Sequence, residues 1–186
     1  MIYTFASQLA QIALASRPMT EPLNLAQLTA SAFEISREAG RIIMKKRNEA
    51  LRIAAKKDGS PVTAADQAAE EFIVGALRKL TPHIPVVAEE LVSSGNVPDI
   101  GVNPFWIVDP LDGTKDYIAG EPEFAVVIAL VVGNTPTLGV INGPALEVTY
   151  AGAVGIGATR ARGNKADDMH ARIAPQDGVT VLSSRH

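Results

Sequence analysis

Apolar residues recur at three- and four-residue spacings through Leu25, Leu28, Ala32, Ile35, Ala39 and Ile42. That pattern predicts a long amphipathic helix whose last turn is the basic cluster Lys45-Lys46-Arg47, a composition suited to a C-terminal dipole end. Ile53-Ala54-Ala55-Lys56-Lys57 reads as a short strand, with Asp58-Gly59-Ser60-Pro61 as the loop after it. A second helix is predicted from Thr63-Ala64-Ala65-Asp66, with Phe72, Ile73, Ala76, Leu77 and Leu80 on one side and a stop before Pro82. The pattern then changes period. Pro85–Ala88 and Phe105–Val108 are short apolar runs, each ending on acids, and residues 93–104 between them are loop by composition. Phe124–Val132 is a continuous apolar run rich in β-branched residues, which predicts a buried strand. Leu138–Ile141 and Val148–Ala151 extend it as an antiparallel meander, and Gly-rich residues 152–163 suit one more hairpin arm. Residues 164–175 read as a polar loop, and Val179–Leu182 as a last strand. Two helices followed by a largely antiparallel sheet make an α+β fold.

Bulk properties narrow the function only modestly. The 186 residues carry a formal charge of −3 and no cysteine. The charge offers no electrostatic basis for binding polymeric nucleic acid. The lack of cysteine excludes disulfides, zinc–thiolate sites and thiol nucleophiles, and fits a reducing, cytoplasmic setting. Residues 1–23 are read as an N-terminal extension. Its apolar run is too short for a membrane span and lacks the basic start of a secretory signal. Phe5, Leu9, Ile12 and Ala13 suit one face of a short helix; alternatively the segment has no role and Met19 marks another start.

The chemistry concentrates in Phe105-Trp106-Ile107-Val108-Asp109-Pro110-Leu111-Asp112-Gly113-Thr114-Lys115-Asp116-Tyr117. A strand ends on Asp109, Pro110 is expected to end its ladder, and Asp112 follows three residues after the first acid. Two carboxylates on a turn stiffened by proline suit one hard cation or a bridge between two. Gly113 permits close backbone approach, and free amides from Gly113-Thr114 onward suit a phosphate oxygen. Metal-binding carboxylates beside phosphate-binding amides are the layout of metal-assisted phosphoryl hydrolysis. The competing reading is a surface turn in which Asp and Pro are simply good turn formers.

Two further acids are candidates. Asp66 is placed in the first turn of its helix, where it either complements the dipole or faces the metal site and orients a water. Glu89 ends a strand about twenty residues before Asp109, so the two converge if their strands are neighbours; otherwise Glu89-Glu90 is a solvated strand end. His170 has no neighbouring ligand in the sequence and reads as solvated.

Together the motifs Ser60-Pro61-Val62-Thr63-Ala64-Ala65-Asp66, Val87-Ala88-Glu89-Glu90 and Trp106-Ile107-Val108-Asp109-Pro110-Leu111-Asp112-Gly113-Thr114 resemble the inositol monophosphatase superfamily of Mg²⁺-dependent, lithium-sensitive phosphatases. The resemblance covers roughly residues 24–186. Leu111, the Lys115-Asp116-Tyr117 tail, Glu121–Val126 and Leu182–His186 resemble its 3′(2′),5′-bisphosphate nucleotidase branch. It implies a layered sugar-phosphatase-like fold and a small phosphorylated substrate. It also implies Mg²⁺ bound through Glu89, Asp109, Asp112 and the Leu111 carbonyl, with two or three ions in the family and one or two here. Asp112, Gly113 and Thr114 would hold the phosphate, with Glu89 and Leu111 also facing the substrate, and Thr114 with Asp66 would orient the attacking water. Lys56, or its neighbour Lys57, matches a basic position bearing on phosphate; solvated surface lysines are the alternative.

Members of that superfamily continue into a second α/β domain carrying a Trp-Asp motif. Here Trp106 is the only tryptophan and no Asp follows Asp177. The expected organisation is therefore a metal- and phosphate-binding domain over 24–176 and, over 177–186, the first strand of a domain that is mostly missing. Apolar surface left uncovered by such a loss would favour homo-oligomers. Three functions stay open: a bisphosphate nucleotidase, an inositol-1-phosphate phosphatase, and a non-catalytic remnant with cation or phosphate affinity.

Overall fold

The computed structural model describes residues 22–53, 61–95, 98–100, 103–163, 165–173, 175, 176 and 178, with residues 50–53 and 61–63 as backbone only. The first helix, α1, is Leu25–Ile53. Its start is fixed by Asn24, whose side-chain oxygen accepts the Gln27 amide at 3.1 Å. It does not stop at Lys45-Lys46-Arg47: no Gly or Pro interrupts residues 41–53, and Asn48-Glu49-Ala50-Leu51-Arg52 carries it on, so Ile53 is helical rather than extended. The remainder of that expected strand, including Lys56 and Lys57, lies outside the described residues.

Helix α2 is Pro61–Leu80. Proline at a first helical position loses no intrahelical bond, so the helix begins there and not at Thr63. Asp66 consequently stands in the second turn, and no acid occupies the first. The expected dipole role for Asp66 does not apply.

After α2 come β1 (Val86–Ala88), the short helix α3 (Glu89–Ser93), β2 (Phe105–Asp112), the short helix α4 (Thr114–Ala119), β3 (Ala125–Val132) and β4 (Thr135–Gly143). A 3₁₀ turn at Pro144–Leu146 leads to β5 (Val148–Ala153), β6 (Gly157–Arg162) and β7 (Lys165–Met169). These make one seven-stranded sheet in sequence order, parallel between β1 and β2 and antiparallel thereafter. The α+β expectation and the meander hold. Within the expected polar loop 164–175, Lys165–Met169 is strand: every β7 residue is exposed, yet its backbone pairs with β6 and Arg160 meets Asp167 at 3.3 Å. Ladder bonding does not need an apolar pattern, which is why composition hid this edge strand. The expected strand Val179–Leu182 lies outside the described residues.

Alternation on the strands puts Trp106, Val108, Val126, Ile128, Leu130, Leu138 and Val140 on the face covered by the helices, all buried. α1 packs over β3 to β5 and α2 over β1 and β2. Ile107 and Ile141 project to the other side and are 43% and 47% exposed. Two buried polar links pin the layers. Trp106 Nε1 donates to Thr81 Oγ1 at 2.9 Å at the end of α2. Asn142 Nδ2 donates to the Ser36 carbonyl of α1 at 2.8 Å while its Oδ1 accepts Thr149 Oγ1 at 3.1 Å. Gly40 lets this contact close, since a Cβ there would collide with Asn142 Nδ2 and stand 2.9 Å from Pro144 Cβ. Asn142→Ala strands two buried polar groups and is expected to cost about 1–3 kcal/mol in urea denaturation. Among the described residues, no helix is long and apolar enough to cross a membrane.

Candidate active site

The site begins with the parallel pairing of β1 and β2. Ala88 is opposite Val108, so Glu89 and Asp109 leave the same end of neighbouring strands. The adjacency expected from sequence is present: β1 and β2 are neighbours, and the Glu89 charge acts on Asp109. Burial first, then the Glu89 charge and that of Asp112, raises Asp109 from an ordinary 3.8 to about 6, although the Leu111 amide opposes this by donating to Asp109 Oδ1 at 3.1 Å.

Pro110 does not end the strand. Asp109 pairs with Val127 and Asp112 with Ala125, so three steps on β2 match two on β3 and the extra residue forms a bulge. The missing proline donor falls within this irregularity and Pro110 is fully buried. The bulge keeps Asp109 and Asp112 paired to β3 on either side of Leu111.

Gly113 then turns the chain at φ 85°, ψ 37° and caps α4. A Cβ there would lie 2.8 Å from the Glu123 carbonyl oxygen and 3.1 Å from Phe124 Cα, so close backbone packing requires glycine twice over. Thr114 Oγ1 donates to the Leu111 carbonyl at 3.2 Å, leaving the hydroxyl oxygen able to accept another hydrogen.

Asp66 comes from α2, which packs against both β1 and α4. It is only 7% exposed, and its Oδ1 is buried with no hydrogen-bond partner. Burial, followed by the charges of Glu90, Glu89, Asp109 and Glu70, pushes its carboxyl from 3.8 to about 7. A buried acid with an orphaned oxygen, aimed among other acids, has no structural reward in this arrangement. Among the described residues, no group of three or more acidic or histidine side chains already stands at metal-holding spacing. The fit to a hard cation rests on the all-oxygen donor set, the crowding of like charges and the unsatisfied Asp66 oxygen.

Residues 24–179 match the sequence model of the inositol monophosphatase family. The chain belongs to that family. It is 45% identical over 124 residues to the 3′(2′),5′-bisphosphate nucleotidase CysQ of Salmonella typhimurium, covering 66% of this chain and 50% of that one. Inositol monophosphatase 1 of Solanum lycopersicum is 33% identical over 135 residues, 73% of this chain and 50% of its own. Among solved structures, CysQ from Bacteroides thetaiotaomicron matches with a TM-score of 0.65 at 30% identity, covering 82% of this chain and 60% of that one. Mycobacterium tuberculosis SuhB gives 0.64 at 26% identity, covering 79% and 52%. The chain spans about half the length of the curated relatives it matches.

Two residues of this inositol monophosphatase family member escaped the sequence reading although both brace the site. Glu70 lies one turn beyond Asp66, is 6% exposed, and accepts the Glu90 amide at 2.8 Å. Its spacing from Asp66 was visible, but its partner is a backbone group on another element and leaves no sequence signal. Arg47, read as a helix-end cation, stacks over Tyr117 at 5.7 Å and Phe124 at 5.2 Å and donates to the Glu121 carbonyl at 3.2 Å. It clamps the segment behind the Gly113 turn, where Tyr117 and Phe124 meet edge to face. Arg47→Ala is expected to cost about 1–2 kcal/mol in urea denaturation, and Arg47→Lys to recover only part because an ammonium cannot stack as a plane.

Proposed function

We propose that this site belongs to a Mg²⁺-dependent phosphomonoesterase acting on small nucleotides of the adenosine 3′,5′-bisphosphate type. The observation that carries the reading is the convergence of Asp66, Glu89 and Asp109 beside a turn that only glycine can make. Glu89, Asp109, Asp112 and the Leu111 carbonyl are the residues that would hold Mg²⁺. Bound there, the ion supplies charge neutralisation for phosphate oxygens and acidifies water. The chain's own contribution is positional and acid–base. The Gly113-Thr114 amides would serve a phosphate oxygen, and Asp112 would flank it. Thr114 offers an acceptor to the attacking water. Asp66, buried with an oxygen that has no hydrogen-bond partner, receives its proton. In-line attack forms the new P–O bond as the bond to the sugar oxygen breaks, and the proton that Asp66 took up returns through solvent to that leaving oxygen, which departs as the hydroxyl.

The nucleotide preference is supported by Leu111 with Lys115-Asp116-Tyr117 and by the identity to CysQ. A basic contact from Lys56 and a cytoplasmic setting belong to the same reading, and the exposed Ile107 and Ile141 face favours self-association. Phosphate release from adenosine 3′,5′-bisphosphate, measured with Mg²⁺ and then with added Li⁺, tests the proposal beside inositol 1-phosphate. Mg²⁺-dependent, Li⁺-suppressed release is expected, faster on the nucleotide. Faster release from inositol 1-phosphate would overturn the substrate assignment, and no release from either at high protein concentration would favour a non-catalytic binding site.

A further inference from the structure

Helix α3 has an unusual start. Its N-cap is Ala88, which offers no side-chain cap, and the first residue after it is Glu89. The next two amides, of Glu90 and Leu91, are the ones a capping side chain normally satisfies. The Glu90 amide donates instead to the carboxylate of Glu70, twenty residues upstream on α2, at 2.8 Å from Oε2, and the neighbouring Leu91 amide acts on the same carboxylate. Glu70 is 6% exposed, and none of the ion pairs among the described residues involves it.

We propose that Glu70 is a positioning residue: by capping α3 from a different helix, it fixes the backbone of Glu89 and holds that carboxylate against Asp109. Two constraints meet at Glu89. On its N-terminal side the β1–β2 ladder fixes Ala88 opposite Val108. On its C-terminal side the Glu70 carboxylate fixes the very next amide, that of Glu90. A five-residue helix with no cap of its own has little else to set its orientation. Since α2 also carries Asp66 one turn earlier, the same helix sets the spacing between Asp66 and Glu89. The role assigned to Glu70 is that of a cap, its Oε2 accepting a backbone amide of α3. This role rests on the reading that Glu89 and Asp109 take up Mg²⁺, and it predicts coupling between a buried cap and cation affinity that a purely stabilising residue would not show.

The test uses the full chain with Glu70→Ala and Glu70→Gln, Mg²⁺ titration calorimetry, and amide hydrogen exchange read by NMR. Glu70→Ala is expected to lose protection at the Glu90 and Leu91 amides and to weaken Mg²⁺ binding by about tenfold or more. Glu70→Gln keeps an acceptor oxygen and is expected to retain that protection and stay within about threefold of the parent. Should Glu70→Ala fail to fold, Glu70→Asp replaces it, being one methylene too short for the same bonds. Unchanged protection, or lost protection with unchanged Mg²⁺ affinity, overturns the proposal. If the parent chain takes up no Mg²⁺, the cation reading falls, and the positioning role is decided by whether Glu70→Ala and Glu89→Gln perturb the same Asp109 resonances; no shared perturbation overturns it.

Discussion

Without added cation, the protein is expected to be about 2–4 kcal/mol less stable at pH 8 than at pH 5, and millimolar Mg²⁺ is expected to restore most of that difference. The sign follows from the direction of the shifts. Asp66 moves from 3.8 to about 7 and Asp109 from 3.8 to about 6 on folding, in both cases chiefly because burial penalises the charge. The folded state therefore holds more protons than the unfolded chain between about pH 4 and 7. The stability these groups contribute is fully present below their unfolded pKa and disappears as pH rises through the folded values. The magnitude stays below the sum of the separate shifts, because part of the Asp66 shift comes from the Asp109 charge itself and Asp109 is only half-buried. A cation reverses the effect by binding the charged form, and saturation at a hundredfold excess over its Kd contributes about 2.7 kcal/mol. Urea denaturation at pH 5, at pH 8, and at pH 8 with Mg²⁺ measures all three states. Asp66→Asn should flatten much of the metal-free pH dependence by removing the larger shift. Asp109→Asn should lower both the pH dependence and the response to Mg²⁺. Stability that stays level or rises between pH 5 and 8 without cation would show that these acids are not held in the crowded, dry arrangement described.

What could be read from the sequence follows from how each feature is encoded. Apolar periodicity located α1, α2 and the strands because burial on one face is what those periods record. Glu89 and Asp109 were predictable as a pair because each follows an apolar strand and only adjacency was needed. The extension of α1 past Arg47 was missed because a basic cluster marks a favourable helix end without forcing one. The passage of β2 through Pro110 was missed because a bulge depends on the partner strand's register, which Pro110 itself does not encode. β7 carries no apolar signal, and its pairing rests on backbone bonds to β6. Glu70 and Arg47 act across elements distant in the chain, on a backbone amide and on aromatic faces, so their roles appear only once those elements are placed.

Gly113→Ala is expected to cost about 2–3 kcal/mol of stability and to lower Mg²⁺-dependent phosphate release, per folded molecule, by about a hundredfold. Two separate penalties act at one atom. The backbone sits at φ 85°, a left-handed conformation that disfavours any Cβ. The added methyl would also meet the Glu123 carbonyl oxygen at 2.8 Å and Phe124 Cα at 3.1 Å, both backbone atoms that cannot rotate away. Relief requires moving the turn off Phe124, and the turn carries Asp112 on one side and Thr114 on the other. A displacement near 1 Å suffices to misalign groups that must meet phosphate and water together. Gly133→Ala provides the control. Gly133 also has positive φ, at 60°, but a Cβ there meets nothing within 4 Å, and it lies at the β3–β4 turn. It is expected to cost about 1 kcal/mol and leave phosphate release unchanged. The contrast separates backbone strain, shared by both variants, from displacement of the turn, confined to Gly113. Equal activity in the two variants would remove the Gly113-Thr114 turn from the phosphate site.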